Sequence, residues 1–382
     1  MKDIKISSLG VLDEQKFKKM DSSRISWLED GTDMIINPNT KTKELVDEIM
    51  PNLVNVVVKK ILKETDRCKT LIIEEVNGKK LPPFRAGQKV ALIINIDGNF
   101  YTRPFTIACS NKDLSSYRIA VFKNEEDTVM NYLYSKLKVG EKFSVSKPFG
   151  DFYYDPIRDE ENIVMIVSGY GVAAALAMAE AVNDEMDKTK LTIFYSEKKD
   201  EDMAYKDELI RLADNPKIRV GFILSEEKKE ETLEGFASLD KVQSEMVEGH
   251  TSIFISGPEG LLKYLEKELA PLNLPKKFIR YDNFLPVCNI KRIAKYNLTI
   301  YINKEKYEVP CFNNKTILTA LEESGVYIPS KCHNGSCGLC RSELVKGEVK
   351  VINDKRVEAE KKYNIIHPCC TYPLGDIEIV VR

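Results

Sequence analysis

Hydrophobic and polar positions change their period along the chain, and each period predicts a different layer of structure. Between Pro83 and Ser110, PFRAGQKVALIINIDGNFYTRPFTIACS alternates apolar and polar residues and is cut by Gly87 and by Asp97-Gly98-Asn99. That pattern predicts successive strands of a small antiparallel barrel. From Asn162 the stretch NIVMIVSGYGVAAALAMAEAV is a continuous apolar strand, a Gly-Tyr-Gly turn and a helix. Three further strands follow in KLTIFYSEK, KIRVGFILSEE and TSIFISGPEGLLKYLEKEL, the last running through Gly257-Pro258 into a helix. Strands that alternate with helices predict a parallel sheet. Near the end, YNLTIYIN and KEKYEVP alternate like a hairpin, KTILTALEESG has helical spacing and stops at Gly325, and GDIEIVVR reads as a closing strand. Ahead of all this lie the only tryptophan, Trp27, a turn-like EDGTDMIINPNTKTK and a short helix expected in TKELVDEIM.

The 382 residues suffice for two or three domains. Lys plus Arg (57) nearly balance Asp plus Glu (59), so no global field recruits nucleic acid or an anionic membrane. No apolar run approaches the roughly 18 residues of a membrane span, and the first residues lack the apolar core of a signal peptide. The expected location is the cytoplasm.

Cysteine changes the picture. Nine are present, at 68, 109, 288, 311, 332, 337, 340, 369 and 370. An odd number clustered at one end favours metal ligation over a disulfide framework. Cys332, Cys337 and Cys340 followed by Cys369 have the plant-type spacing of a 2Fe-2S centre. A short loop must wrap a compact cluster, and Asn334, Gly335, Ser336 and Gly338 permit that close backbone approach. Zinc is the alternative, although structural zinc favours paired Cys-x2-4-Cys knuckles and one such pair is present. Either Cys369 or Cys370 could be the fourth ligand, and Cys369 is the one expected.

The C-terminal order of strand, strand, helix, cysteine loop and strand resembles the β-grasp fold of plant-type ferredoxins. Upstream, Arg103-Pro104-Phe105-Thr106 resembles the Arg-x-Tyr-Ser/Thr signature of the ferredoxin-NADP(H) reductase superfamily, supported by AGQ before it and LKVGEKFSVSKPFGDFYY after it. The resemblance implies that Arg103 meets the flavin phosphate, Phe105 lies flat against the isoalloxazine and Thr106 sits near its N5 edge. It also implies a Gly-x-x-Ser helix start for the pyrophosphate; here Asp127 and Met130 stand at those two places, leaving Thr128 and Asn131 as donors. FAD is expected, with FMN open. Gly169, Gly171, Gly257 and Pro258 are implied to cradle NAD(P)H. Ser256 replaces the cysteine that seats the nicotinamide, and Asp282 of YDNF replaces a glutamate. Near the end of the second strand, Lys198 and Lys199 would hold a 2′-phosphate while Glu197 and Asp200 would repel it; NADH is the expectation.

The expected fold is therefore multidomain. An N-terminal extension spans 1–52, an antiparallel β-barrel flavin domain 53–156, an α/β parallel-sheet nucleotide domain 157–290, and a β-grasp (α+β) ferredoxin domain 296–382. The same order occurs in reductase components of aromatic-ring dioxygenases and in the reductase of the hybrid-cluster protein. It implies an oxidoreductase that passes electrons from NAD(P)H through flavin to a 2Fe-2S cluster and on to a protein acceptor. An oxygenase, a hybrid-cluster protein, a corrinoid protein or a free ferredoxin would fit. A redox subunit that does not itself oxidise NAD(P)H, or a sensor acting through the N-terminus, are the alternatives.

Overall fold

A computed structural model describes residues 53–381 apart from 185, 187, 247–249, 283–289 and 291. The 1–52 extension, with Trp27 and the helix expected at 42–50, lies outside the described residues, as do Phe284 and Cys288. The described chain falls into two compact units, one within 49–96 and 103–284 and the other within 97–102 and 285–382.

The first sheet is antiparallel. Its strands are β1 (Leu53–Lys63), β2 (Cys68–Glu75), β3 (Lys89–Ile96), β4 (Asn99–Thr106), β5 (Ser116–Phe122) and, after helix α1 (Thr128–Ser135), β6 (Lys142–Ser146), in the order β4-β3-β6-β1-β2-β5. Alternation decides the inward face: in β1, Val54, Val56 and Val58 are buried while their neighbours are more exposed. The β3–β4 turn uses Asp97 and Gly98, both at positive φ, as a tight hairpin requires. The sheet curls until Ile107 bridges Ile119, so a half-barrel forms and its end strands meet at that point.

The second sheet is parallel. It contains β7 (Asn162–Ser168), helix α2 (Val172–Asp184), β8 (Lys190–Glu197), helix α3 (Lys206–Leu212), β9 (Ile218–Leu224), β10 (Leu233–Glu234), helix α4 (Leu239–Ser244), β11 (Thr251–Ser256), helix α5 (Glu259–Glu268) and β12 (Ile279–Asp282). Its order, β10-β9-β8-β7-β11-β12, reverses direction at β7. The unbroken apolar run of β7 follows from covering both faces. Ile163, Met165 and Val167 share a core with α2, whereas Val164 and Ile166 pack with Val242, Leu262 and Leu265 from α4 and α5. Each such buried side chain contributes about 1.5–3 kcal/mol. Strand β12, at an edge, was not foreseen, because Ile279–Asp282 is too short and polar to carry a period.

The C-terminal sheet runs β13 (Lys295–Ile302), β14 (Glu305–Phe312), helix α6 (Ile317–Glu323), β15 (Ser342–Lys346), β16 (Val349–Val351), helix α7 (Glu358–Lys362), β17 (Ile365–Ile366), β18 (Thr371–Pro373) and β19 (Ile377–Val381). The order β14-β13-β19-β15-β17, with β13 parallel to β19, is the expected grasp around one helix; β16 and β18 pair separately. Thr316 caps α6 by accepting the Thr319 N–H at 3.1 Å, and Gly325 at φ +74° ends it. The helix buries Ile317, Leu318 and Leu321 against Leu298, Ile300, Ile377 and Ile379. Among the described residues no helix is long and apolar enough to cross a membrane.

Candidate functional site

Four thiols gather at one end of the C-terminal sheet. The loop between α6 and β15 holds His333, Gly335 and Gly338 at positive φ, so its backbone curls tightly. Cys332, Cys340 and Cys369 are buried and Cys337 is exposed. The Cys337 N–H donates to the Cys332 sulfur at 3.3 Å. The thiols of Cys337 and Cys369 face Cys332 and hold it well below the usual thiol range. Cys369 does the same for Cys340, and its own thiol is pushed well up by Cys332, Cys340 and Cys370 around it. Cys369 thus meets two of the loop cysteines, while the Cys370 sulfur faces the His367 carbonyl at 3.5 Å. Four sulfurs so placed, three out of water, have the donor set of a thiolate-bound iron–sulfur centre. Gly335 makes the fit possible, since a Cβ there would stand 2.9 Å from the Cys370 sulfur.

Behind the thiols lies a group that sequence reasoning missed. Buried Glu360 accepts the Val357 N–H at 3.0 Å, faces His367 Nε2 at 3.3 Å and pairs with Arg341. Burial alone would raise its carboxyl, but these partners bring it down to about 2. Arg341 directly follows Cys340, and that adjacency was the available signal.

In the other unit, strand β4 presents Arg103, Phe105 and Thr106, all buried. Thr106 Oγ1 is enclosed without a hydrogen-bond partner, which suits a hydroxyl waiting for a polar ring edge. The Arg103 guanidinium is engaged by a carboxylate, its Nε donating to Asp127 Oδ2 at 2.9 Å. Asp127 also caps α1, accepting the Met130 N–H on Oδ1 at 2.9 Å. Thr128 begins that helix. The Asn131 side chain accepts the Ser135 hydroxyl at 3.2 Å, one helical turn away from the cap.

The turns after β7 and β11 lie where the parallel sheet reverses direction, the place at which open α/β sheets hold ligands. Gly171 backs onto β11 so closely that a Cβ would stand 2.1 Å from the Ser256 carbonyl oxygen. Gly169, at φ +55°, donates its N–H to Glu197 at 2.6 Å. Gly257 accepts the Tyr170 hydroxyl at 2.6 Å, and Pro258 opens α5. Burial lifts the Glu197 carboxyl, the Gly169 N–H opposes this and Asp202 adds to it, leaving it at about 7. Lys198 and Lys199 reach Glu226 and Glu201 at 2.9 and 3.5 Å.

Ser256, fully buried, donates to Asp282 Oδ2 at 3.2 Å, and the other oxygen of Asp282 pairs with Lys89. Lys89 escaped sequence reasoning altogether, because it lies 193 residues from its partner and no local pattern joins them.

Comparison with known proteins agrees with this geometry. Residues 300–374 match the 2Fe-2S iron-sulfur cluster binding domain and residues 165–267 the oxidoreductase NAD-binding domain. The chain is 24% identical over 287 residues to a carnitine monooxygenase reductase subunit of Escherichia coli, covering 74% of this chain and 84% of that one. It is 24% identical over 301 residues to NADH oxidoreductase HCR of the same organism, covering 77% and 88%. Among solved structures it superposes on a phthalate dioxygenase reductase with a TM-score of 0.69 at 19% identity, covering 86% of this chain and 97% of that one.

Proposed function

We propose that this chain, which belongs to the ferredoxin-NADP(H) reductase-like superfamily with a C-terminal 2Fe-2S ferredoxin domain and is an NAD(P)H-dependent flavin iron–sulfur reductase, delivers its electrons to an oxygenase-type protein. The observation that carries the reading is the gathering of Cys332, Cys337, Cys340 and Cys369 in one chain with a nucleotide sheet whose glycine turns meet at its switch point. Flavin supplies the junction such a chain needs, because nicotinamide gives a hydride and an iron–sulfur centre takes single electrons.

The chain's own residues divide the work. Thr106 offers a buried hydroxyl to the ring edge, and Phe105 a flat apolar surface. Ser256 is oriented by Asp282, which Lys89 neutralises, so a nicotinamide beside it meets a fixed polar group. Gly169 leaves open space for the dinucleotide backbone, Gly171 and Gly257 let the two turns pack closely, and Pro258 opens α5. With Lys198, Lys199 and Asp200 already paired and Glu197 beside the turn, a 2′-phosphate finds no ready partner, which supports NADH. Cys332, Cys337, Cys340 and Cys369 would hold the cluster. Three separate sheets support domain boundaries near 53, 157 and 296, and a reducing compartment, the cytoplasm, suits free thiols.

Two relatives, the carnitine monooxygenase reductase subunit and a glycine betaine monooxygenase reductase subunit of Chromohalobacter salexigens, are named for oxygenases. Anaerobic rapid mixing with NADH and with NADPH tests the proposal. Fast loss of flavin absorbance followed by that of the cluster is expected with NADH. A flavin bleached by light yet indifferent to both nucleotides would refute it.

A further inference from the structure

The half-barrel offers two groups suited to a phosphate: the buried guanidinium of Arg103 and the free amides that open helix α1. One carboxylate engages both, meeting the Nε of Arg103 and one of the helix amides. Asp127 Oδ2 receives Arg103 Nε at 2.9 Å and Asp127 Oδ1 receives the Met130 N–H at 2.9 Å. The residues just before it, Glu125 and Glu126, add negative charge, of which the Lys123–Glu125 contact at 2.8 Å offsets part. No acid lies inside the first turn, so Asp127 is the carboxylate that meets this helix start, at the Met130 amide.

We propose that Asp127 is a built-in substitute for the flavin's phosphate, so that this chain recognises its flavin by the ring and ribityl chain and gains little from the phosphate or pyrophosphate. To admit a phosphate at this place, Asp127 would have to leave both partners, uncapping α1, or remain and face a like charge. Neither is needed for the ring, whose contacts with Phe105 and the enclosed Thr106 hydroxyl stand on the adjacent part of β4. Riboflavin, FMN and FAD are therefore alternative ligands of similar affinity. The proposal rests on the assignment of β4 as the flavin strand.

The test uses the full chain with its flavin removed, titrated with riboflavin, FMN and FAD while flavin fluorescence quenching is followed. The expected dissociation constants agree within about threefold and change little with added salt. Asp127→Asn keeps the cap, since Asn serves as well there, but removes the charge. It is expected to tighten FMN and FAD by about tenfold or more and to leave riboflavin unchanged. Phosphate-bearing flavins that bind about thirtyfold tighter than riboflavin to the unaltered chain would overturn the proposal without any variant. So would an Asp127→Asn protein with an unchanged FMN-to-riboflavin ratio. Absence of quenching by all three flavins would overturn the flavin-strand assignment and this proposal with it.

Discussion

Replacing Glu197 by Gln should flatten the pH dependence of stability between pH 5 and 8. An unfolded glutamate releases its proton near 4.5, whereas the native Glu197 holds it to about 7. Between those values the native state binds more protons than the unfolded state. Stability from this group is therefore fully present below about 4.5 and is lost as pH rises through about 7. At about 1.4 kcal/mol per tenfold change in proton affinity, the displacement corresponds to roughly 3 kcal/mol. The side chain keeps some access to water, which screens the effect and reduces it to roughly 2 kcal/mol. Asp202 and Arg67 face the carboxyl, while burial pushes Cys68 and Tyr195 beside it further up, out of the working range. Gln retains the acceptor for the Gly169 N–H and carries no proton equilibrium of its own. Urea unfolding of the parent and of Glu197→Gln at closely spaced pH values reads the difference directly. The parent should lose roughly 2 kcal/mol relative to the variant between pH 5 and 8. A difference that stays flat across that window refutes the reasoning.

Three other outcomes follow from the geometry. Lys89→Met leaves Asp282 buried without its cation and should cost about 3–5 kcal/mol in chemical unfolding, with much of the loss recovered in Lys89→Met/Asp282→Asn; a single variant within about 1 kcal/mol of the parent contradicts the pairing. Cys369→Ser should lose bound iron and acid-labile sulfide while Cys370→Ser keeps both, and the reverse result on anaerobically purified protein reassigns the fourth ligand. Gly171→Ala forces a Cβ to 2.1 Å from a carbonyl oxygen on β11, so it should destabilise the chain by about 1–3 kcal/mol and weaken NADH binding by calorimetry; unchanged affinity shows that the turn does not shape the nucleotide site.

Where the physics is local, the sequence could be read. The buried strand β7 and the period of α6 depend on neighbours a few residues apart, and both stand as expected. Arg103 shows the limit. Its position on a strand was legible, but its partner Asp127 is 24 residues away and in the sequence stands only as a departure from glycine. Lys89 with Asp282 and Glu360 with Arg341 and His367 are joined by folding alone, and no periodicity announces a pair of charges brought together from distant strands. The edge strand β12 was missed for a related reason: four residues with one buried side chain carry too little pattern.

The uneven covering of the four sulfurs has an outcome of its own. Cys337 is exposed, and nearby Leu339 is 43% exposed, while Cys332, Cys340 and Cys369 are buried. Small oxidants and alkylating reagents therefore find one doorway, and damage to the centre should begin at position 337 and spread inward. A recipient that docked over the same opening would shield the one exposed thiol of the four.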